Sequence, residues 1–381
     1  LNENVEKIAE EIDRRGPIAF ARFMELALYC PDCGYYEKEK DNVGRDGDFF
    51  TSVSTGSLFG ELLALQFATW AEEGRRMTEG GAQRTELNIV EAGAHDGRLA
   101  GDILRRLREQ KSVAFERLKY WIVEPSEKRR GWQRERLKEF GDAVQWVSKL
   151  TELETELRPF FSIVFSNELL DAMPVRRIGW DAKEKTWFEW GVAREGEKFV
   201  WTRMQNLEAG ALRFPFDDRE FARLADVLPD GFTTELCPAA EVWWREAASV
   251  LKRGKLLAID YGLSAEEFFA PECASGTLRA YYRHHVSREI LANPGKQDIT
   301  ASVNFTAIQR AGEAAGLKTE AFVTQAGFLM PIAEQVLNRP DVFGAWTPAR
   351  TRQLQTLTHP EHLGRSFRVL VQSRQAGDCI S

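Results

Sequence analysis

Apolar residues recur at helical spacing through residues 5–15, and the pattern stops at Gly16-Pro17, a pair that cannot continue a helix. The same spacing predicts a second helix over 20–29, ending at Cys30-Pro31, and an apolar third over 58–72. A loop rich in Gly and Asp (41–54) separates the last two, and Gly80-Gly81 closes the region. There the rhythm changes. Short, near-continuous apolar runs at 87–91, 120–124, 144–147, 161–165 and 255–260 come next, with one helical pattern over 99–109 and another after Pro125 through Arg136. Such runs suit strands covered on both faces of a parallel sheet.

Two features interrupt the alternation. Residues 175–202 alternate apolar with polar positions and include Trp180, Trp187, Trp190 and Trp201, which predicts an inserted antiparallel meander. Near the end, strand-like runs at 319–325 and 367–372 flank a helical insertion over 326–365. The expected fold is a doubly wound, Rossmann-like α/β sheet ending in an antiparallel hairpin. Its regions are a helical N-terminal part with a covering loop (1–82), a first part of the core (83–174), the meander with a helix (175–232) and a second part of the core (233–381).

The 381 residues carry 51 Lys and Arg against 58 Asp and Glu, a net charge of −7. Nucleic-acid binding draws its affinity from phosphate neutralisation. Here Arg105-Arg106, Lys128-Arg129-Arg130, Arg134 and Arg136 sit among acids and read as solvated helix faces, so no nucleic-acid partner is expected. No apolar run approaches the roughly 18 residues of a membrane span. The opening residues Leu1-Asn2-Glu3-Asn4-Val5-Glu6 have neither signal-peptide nor transit-peptide character. A soluble cytoplasmic protein is the expectation, with the mitochondrial matrix as the location in a eukaryote. Cys30-Pro31-Asp32-Cys33 has the spacing of a zinc half-site or a redox pair. No second pair of ligands accompanies it, so a tight turn bearing two thiols is the better reading and no metal is expected.

In an open parallel sheet, ligands bind beyond the carboxyl ends of the strands, near the point where strand order reverses. After the first core strand stands Glu91-Ala92-Gly93-Ala94-His95-Asp96-Gly97, whose glycines allow close backbone approach at a helix start. After the second stands Glu124, with two acceptor oxygens for ribose hydroxyls. Many sheets own a Gly turn and an exposed acid, so this pair alone also fits a structural role. The absence of G-x-G-x-x-G argues against a nicotinamide dehydrogenase. E-x-G-x-G-x-G, the first motif of S-adenosylmethionine methyltransferases, fits with one replacement, His95.

Other candidates also stand just after strands. Asn167, Glu168 and Asp171 come after the fourth, Asp260 and Tyr261 after the fifth, and Glu235 between them. These groups either converge on an acceptor or cap the helices after them. His284-His285 with Asp298 reads as a base with its orienting acid or as structural hydrogen bonding. The loop from Gly47 to Ser52 reads as a lid or as the approach to a helix capped by Ser57.

The ordered blocks resemble the MidA family of class I methyltransferases, the DUF185 group. They include Gly34-Tyr35-Tyr36, Gly47-Asp48-Phe49-Phe50-Thr51-Ser52, Glu91 to Gly97, and Val123-Glu124-Pro125-Ser126. They continue through Asn167-Glu168-Leu169-Leu170-Asp171-Ala172-Met173-Pro174-Val175, Ile259-Asp260-Tyr261-Gly262 and Asp298-Ile299-Thr300-Ala301. The resemblance implies S-adenosyl-L-methionine as cofactor, held by Gly47, Thr51, Ser52, Glu91, Gly93, Gly97, Glu124 and Asn167. With that activity, the positions of Asn167, Glu168, Glu235, Asp260, Tyr261 and His285 make them the candidates for catalysis on the acceptor side. The resemblance further implies a protein substrate, an arginine side chain, and a link to respiratory complex I assembly; a homodimer is a further expectation. Three positions depart from the family pattern: His95 replaces the second motif glycine, and Ser302 and Asn304 stand where relatives show His and Asp. They support the rival reading, a methyltransferase fold kept as a binding module for a partner protein.

Overall fold

The computed structural model describes residues 2–38, 51–76, 87–110, 117–157, 160–207, 226–282 and 285–375. Strand β1 (Ile18–Ala19) precedes β2 (Leu87–Ala92), β3 (Leu118–Val123), β4 (Val144–Val147) and β5 (Phe161–Asn167). Next come β6 (Arg176–Asp181), β7 (Thr186–Glu195), β8 (Lys198–Asn206), β9 (Thr233–Leu236) and β10 (Gly254–Leu263). The last are β11 (Arg279–Tyr282), β12 (His285–Ser287), β13 (Asp298–Thr300), β14 (Val303–Asn304), β15 (Lys318–Thr324) and β16 (Phe367–Arg374). The chain divides into two compact units, one of Leu1–Phe49, Leu170–Trp243 and Gly262–Arg310, the other of Phe50–Leu169, Trp244–Tyr261 and Ala311–Ser381.

The second unit holds the expected sheet, in the order β15-β16-β10-β5-β2-β3-β4. From β4 to β10 neighbouring strands are parallel, and β16 runs antiparallel to both β10 and β15. The chain winds outward from β2 through β3 and β4, then returns to β5 beside β2. That reversal makes the carboxyl ends of β2 and β5 the natural ligand position. The sheet's apolar runs are fully buried at Ile89, Ile163, Leu257 and Ile259. Against them pack Phe59 and Phe67 of the helix Leu58–Arg76, Ile103 of Arg98–Glu109 and Leu329 of Gln325–Leu337. Each such side chain contributes about 2 kcal/mol through the apolar surface it removes from water.

The expected helical insertion is broken into Gln325–Leu337, Pro340–Phe343 and Pro348–Thr358. Pro340 and Pro348 each open a new helix, where the missing N–H costs nothing. Ser57 does not cap the helix after it. Its hydroxyl donates to Glu61 at 2.7 Å, and the Leu58 N–H donates instead to Gln353.

In the first unit the meander forms as expected and extends to Asn206, within the antiparallel order β1-β7-β6-β9 with β8 on β7. The N-terminal region is not wholly helical, because Ile18 and Ala19 pair with Val192 and Gly191. Helices Glu3–Arg15 and Phe20–Tyr29 bury Ile8, Phe20, Phe23 and Met24 in one cluster. Trp180 and Trp187 are buried in a second. A three-stranded sheet, β12-β11-β13, has no counterpart among the elements expected from sequence. Its strands are only three or four residues long, too short for alternation to register.

Candidate active site

At the end of β2 the backbone turns left-handed three times, at Gly93 (φ 79°), His95 (φ 45°) and Gly97 (φ 83°). The φ of Gly93 favours glycine, and a Cβ there would lie 3.0 Å from Leu169 Cδ1, close enough that the leucine would have to shift. Gly97 serves as N-cap of the helix Arg98–Glu109, and Asp96 accepts from the Arg98 N–H at 3.0 Å. The His95 ring packs beside Trp132, centroids 6.3 Å apart, with its side chain 25% exposed. Burial lowers its pKa, with Arg129, Arg98 and Arg136 acting in the same direction against Asp96.

Glu91 and Glu124 occupy different environments. Glu91 is buried on the apolar side of the sheet, where it accepts from the Tyr120 hydroxyl at 2.7 Å. Desolvation pushes its carboxyl up to about 7. Glu124, at the end of β3, accepts from Ser126 N (2.9 Å) and Arg129 Nε (3.0 Å) on one oxygen and from Gln133 Nε2 (3.2 Å) on the other. It stays paired and oriented. Gln133, not among the residues singled out from sequence, also donates to His95 O at 2.9 Å and accepts from Trp146 Nε1. One buried carboxamide thus ties the β2 turn to the end of β3.

At the end of β5, Glu168 adopts φ 51°, a costly conformation for a residue with a Cβ. Its Oε1 accepts from Ser52 N (3.2 Å) and from Asn167 Nδ2 (3.1 Å). Asn167 is 8% exposed, and its Oδ1 has no hydrogen-bond donor among the described residues. The Ser52 hydroxyl donates to Gln325, whose own amide donates to Leu357 O. Gln325 is fully buried and belongs to no motif, so nothing in the sequence marked it. Thr51 and Ser54 close a compact turn by exchanging hydrogen bonds.

The remaining candidates are divided between the two units. Asp260 is fully buried and accepts from Leu169 N (3.1 Å) and Tyr261 N (2.8 Å), holding the ends of β5 and β10 together. Tyr261 packs edge-on against Phe367. Glu235 belongs to the first unit, on β9. It accepts from Arg177 at 2.8 Å and from the Thr277 N–H and hydroxyl at 2.7 and 2.9 Å. Those bonds make it the buried anion of an ion pair, and it also borders a cavity with Leu170, Ser302 and Asn304. His285 is exposed on β12 and Asp298 buried on β13, with β11 between the two strands, and Asp298 accepts from Tyr36. The expected base-and-acid pair is therefore not formed by His285 and Asp298. Gly47 and His284 lie outside the described residues. Asn304 N-caps the helix Phe305–Ala314, its Oδ1 accepting from Ala307 N, and Ser302 N donates to Thr277. Among the described residues no cluster of three His, Cys, Asp or Glu side chains is arranged for a metal, and no helix is long and apolar enough to cross a membrane.

A family model for S-adenosyl-L-methionine-dependent methyltransferases matches residues 62–323. A solved structure from Burkholderia thailandensis, bound to S-adenosyl-homocysteine, is 31% identical, with TM-score 0.80, covering 97% of this chain and 92% of its own. The mitochondrial protein arginine methyltransferase NDUFAF7 of Rattus norvegicus is 27% identical over 389 residues, covering 94% of this chain and 81% of that protein. The protein of the same name in Danio rerio is also 27% identical, over 81% of this chain and 72% of its own length.

Proposed function

Because the chain belongs to the family of S-adenosyl-L-methionine-dependent methyltransferases, we propose that it methylates a protein side chain, an arginine guanidinium of a respiratory-complex subunit. The acceptor reading draws on the names of relatives such as the rat protein arginine methyltransferase. Within this chain, the observation that carries it is the end of β5. A strained carboxylate at Glu168 stands beside Asn167, whose buried Oδ1 lacks a donor among the described residues. Strain and an unmet acceptor are costs a fold retains where a ligand repays them.

That orphaned acceptor fits a cofactor with an ammonium group, and the left-handed Gly93 turn follows β2, where the strand order reverses. In this reading Gly93 and Gly97 line the cofactor, Glu124 receives its ribose hydroxyls, and Asn167, Thr51 and Ser52 border its amino-acid end. When bound, the cofactor would supply a methyl group activated on a sulfonium, whose carbon–sulfur bond breaks to leave a neutral thioether. The protein's share is then orientation and exclusion of water. Glu168 holds the guanidinium through charge-assisted hydrogen bonds and takes the proton released as the new N–C bond forms. Asp260 acts indirectly, by fixing Leu169 and with it the Glu168 carboxylate.

Incubation of the purified protein with methyl-tritiated cofactor and solubilised respiratory-complex subunits tests the proposal. Acid hydrolysis of the labelled product should yield methylarginine. Label recovered only in lysine, or in no protein at all, would reject it.

A further inference from the structure

The turn after the helix Phe20–Tyr29 carries two thiols for which methyl transfer has no use. Cys30 and Cys33 are both free and buried, with their Sγ atoms 2.8 Å apart. Backbone geometry fixes this proximity. Cys33 N and Gly34 N both donate to Cys30 O, at 3.3 and 2.7 Å. Asp32 is left-handed at φ 67°, and a Cβ at Gly34 would meet Cys30 N and Leu28 O at 2.6 Å. Little relaxation is open to such a turn.

The two sulfurs differ in surroundings. Lys7 Nζ lies 3.5 Å and Asn4 Nδ2 3.6 Å from Cys33 Sγ, so a cation and an amide donor face that sulfur. An adjacent ammonium offsets negative charge that develops on a reacting sulfur. Burial pushes the Cys30 thiol up to about 11, keeping it protonated. The Lys7 side chain is 42% exposed, which brings solvent within one side chain of the pair. Burial of both sulfurs restricts reaction to small reagents.

We propose that Cys30 and Cys33 form a dithiol oxidation site at which a small peroxide closes an intramolecular disulfide. The Cys33 sulfur attacks one peroxide oxygen as its proton leaves. The O–O bond breaks, and the departing hydroxide takes up the proton given up by Cys33 as water. Cys33 is left as a sulfenic acid. The sulfur of Cys30 then attacks the sulfenic sulfur, the S–O bond breaks, and the hydroxyl leaves with the Cys30 proton as a second water. Two thiols lose two electrons, and one peroxide becomes two waters. The new bond pins a turn flanked by Tyr29 and Tyr36. Those rings stack at 5.5 Å, and their hydroxyls donate to Ala172 O and Asp298.

The test treats the native full chain with hydrogen peroxide, then denatures, alkylates and digests it with trypsin. Cleavage after Arg22 and Lys38 leaves these two cysteines, and no other, on one peptide. That peptide should lose two hydrogens, resist alkylation, and recover both thiols on treatment with dithiothreitol. Full alkylation of both cysteines after peroxide exposure would overturn the site. So would sulfinic acid on one with the other still free. Lys7→Met should slow the loss of alkylatable thiol by roughly threefold or more, since no ammonium then offsets the charge developing on the attacking sulfur. An unchanged rate would remove Cys33 as the attacking sulfur.

Discussion

The Tyr120 hydroxyl donates to the Glu91 carboxylate across neighbouring strands at 2.7 Å, and both side chains are buried. Desolvation raises the Glu91 pKa from 4.5 to about 7, against the opposing effect of the Tyr120 hydrogen bond, while Asp96 adds to the rise. The folded protein therefore holds a proton that the unfolded chain has released. Its contribution to stability is full below the unfolded value of 4.5 and is lost as pH rises through about 7. The amount is on the order of 3 kcal/mol. Urea titrations at about pH 5 and about pH 8 should show Glu91→Gln losing less stability over that interval than the unsubstituted protein. Parallel losses in the two proteins would show that Glu91 does not titrate there.

His95 occupies a left-handed backbone position at φ 45°, between two glycines that are also left-handed. His95→Gly relieves about 1 kcal/mol of conformational strain but loosens the unfolded chain by a similar amount. Its melting temperature should stay within about 3 °C of the original. His95→Val keeps a Cβ and adds branching, which the left-handed region tolerates least, and should cost more than about 1 kcal/mol. Differential scanning calorimetry separates the pair. Equal melting temperatures for Gly and Val would show that the ring's contact with Trp132, and not the backbone, decides what this position accepts.

The core strands were legible because strands covered on both faces need apolar residues at nearly every position. Ile163, Val164 and Phe165 are all fully buried in β5, as their unbroken run suggested. The meander was legible from its alternation. Features that depend on distant partners escaped. Gln133 is a lone polar residue in a charged helix, and only the folded chain brings its amide to His95 O and Glu124. Glu235 looked like an acceptor-side acid because it lies between two core strands in sequence. The antiparallel pairing of β6 with β9 sets it directly opposite Arg177, 58 residues earlier, and no local pattern encodes that register.

Asn167 and Glu168 are adjacent but should fail in different ways. Asn167→Ala removes the acceptor that lacks a donor among the described residues, and should weaken cofactor binding by roughly tenfold, about 1.4 kcal/mol. Glu168→Gln preserves shape and removes charge. Calorimetry should find its cofactor affinity within about threefold of the original, while kcat falls by roughly a hundredfold or more as guanidinium orientation and proton removal are lost. A Glu168→Gln protein with unchanged kcat would move the acceptor-binding role elsewhere.

Arg177 and Glu235 set a last test, because charge removal here should damage folding before chemistry. The carboxylate side chain is 1% exposed and the guanidinium 16%, and Arg177 also stacks over Trp201 at 4.9 Å. Burial lowers the Arg177 pKa, and Glu235 opposes that shift. Taking away Glu235 alone leaves a buried cation without its counter-ion, at a cost of about 3 kcal/mol. Removing both charges together, as Arg177→Met with Glu235→Leu, avoids that penalty and should recover a substantial part of the loss. Guanidinium titrations of Glu235→Leu, Arg177→Met and the double variant complete the cycle. Additive losses would break the assignment of Glu235 as a structural ion-pair partner. A Glu235→Gln protein of normal stability but with impaired methyl transfer would return this acid to the catalytic set.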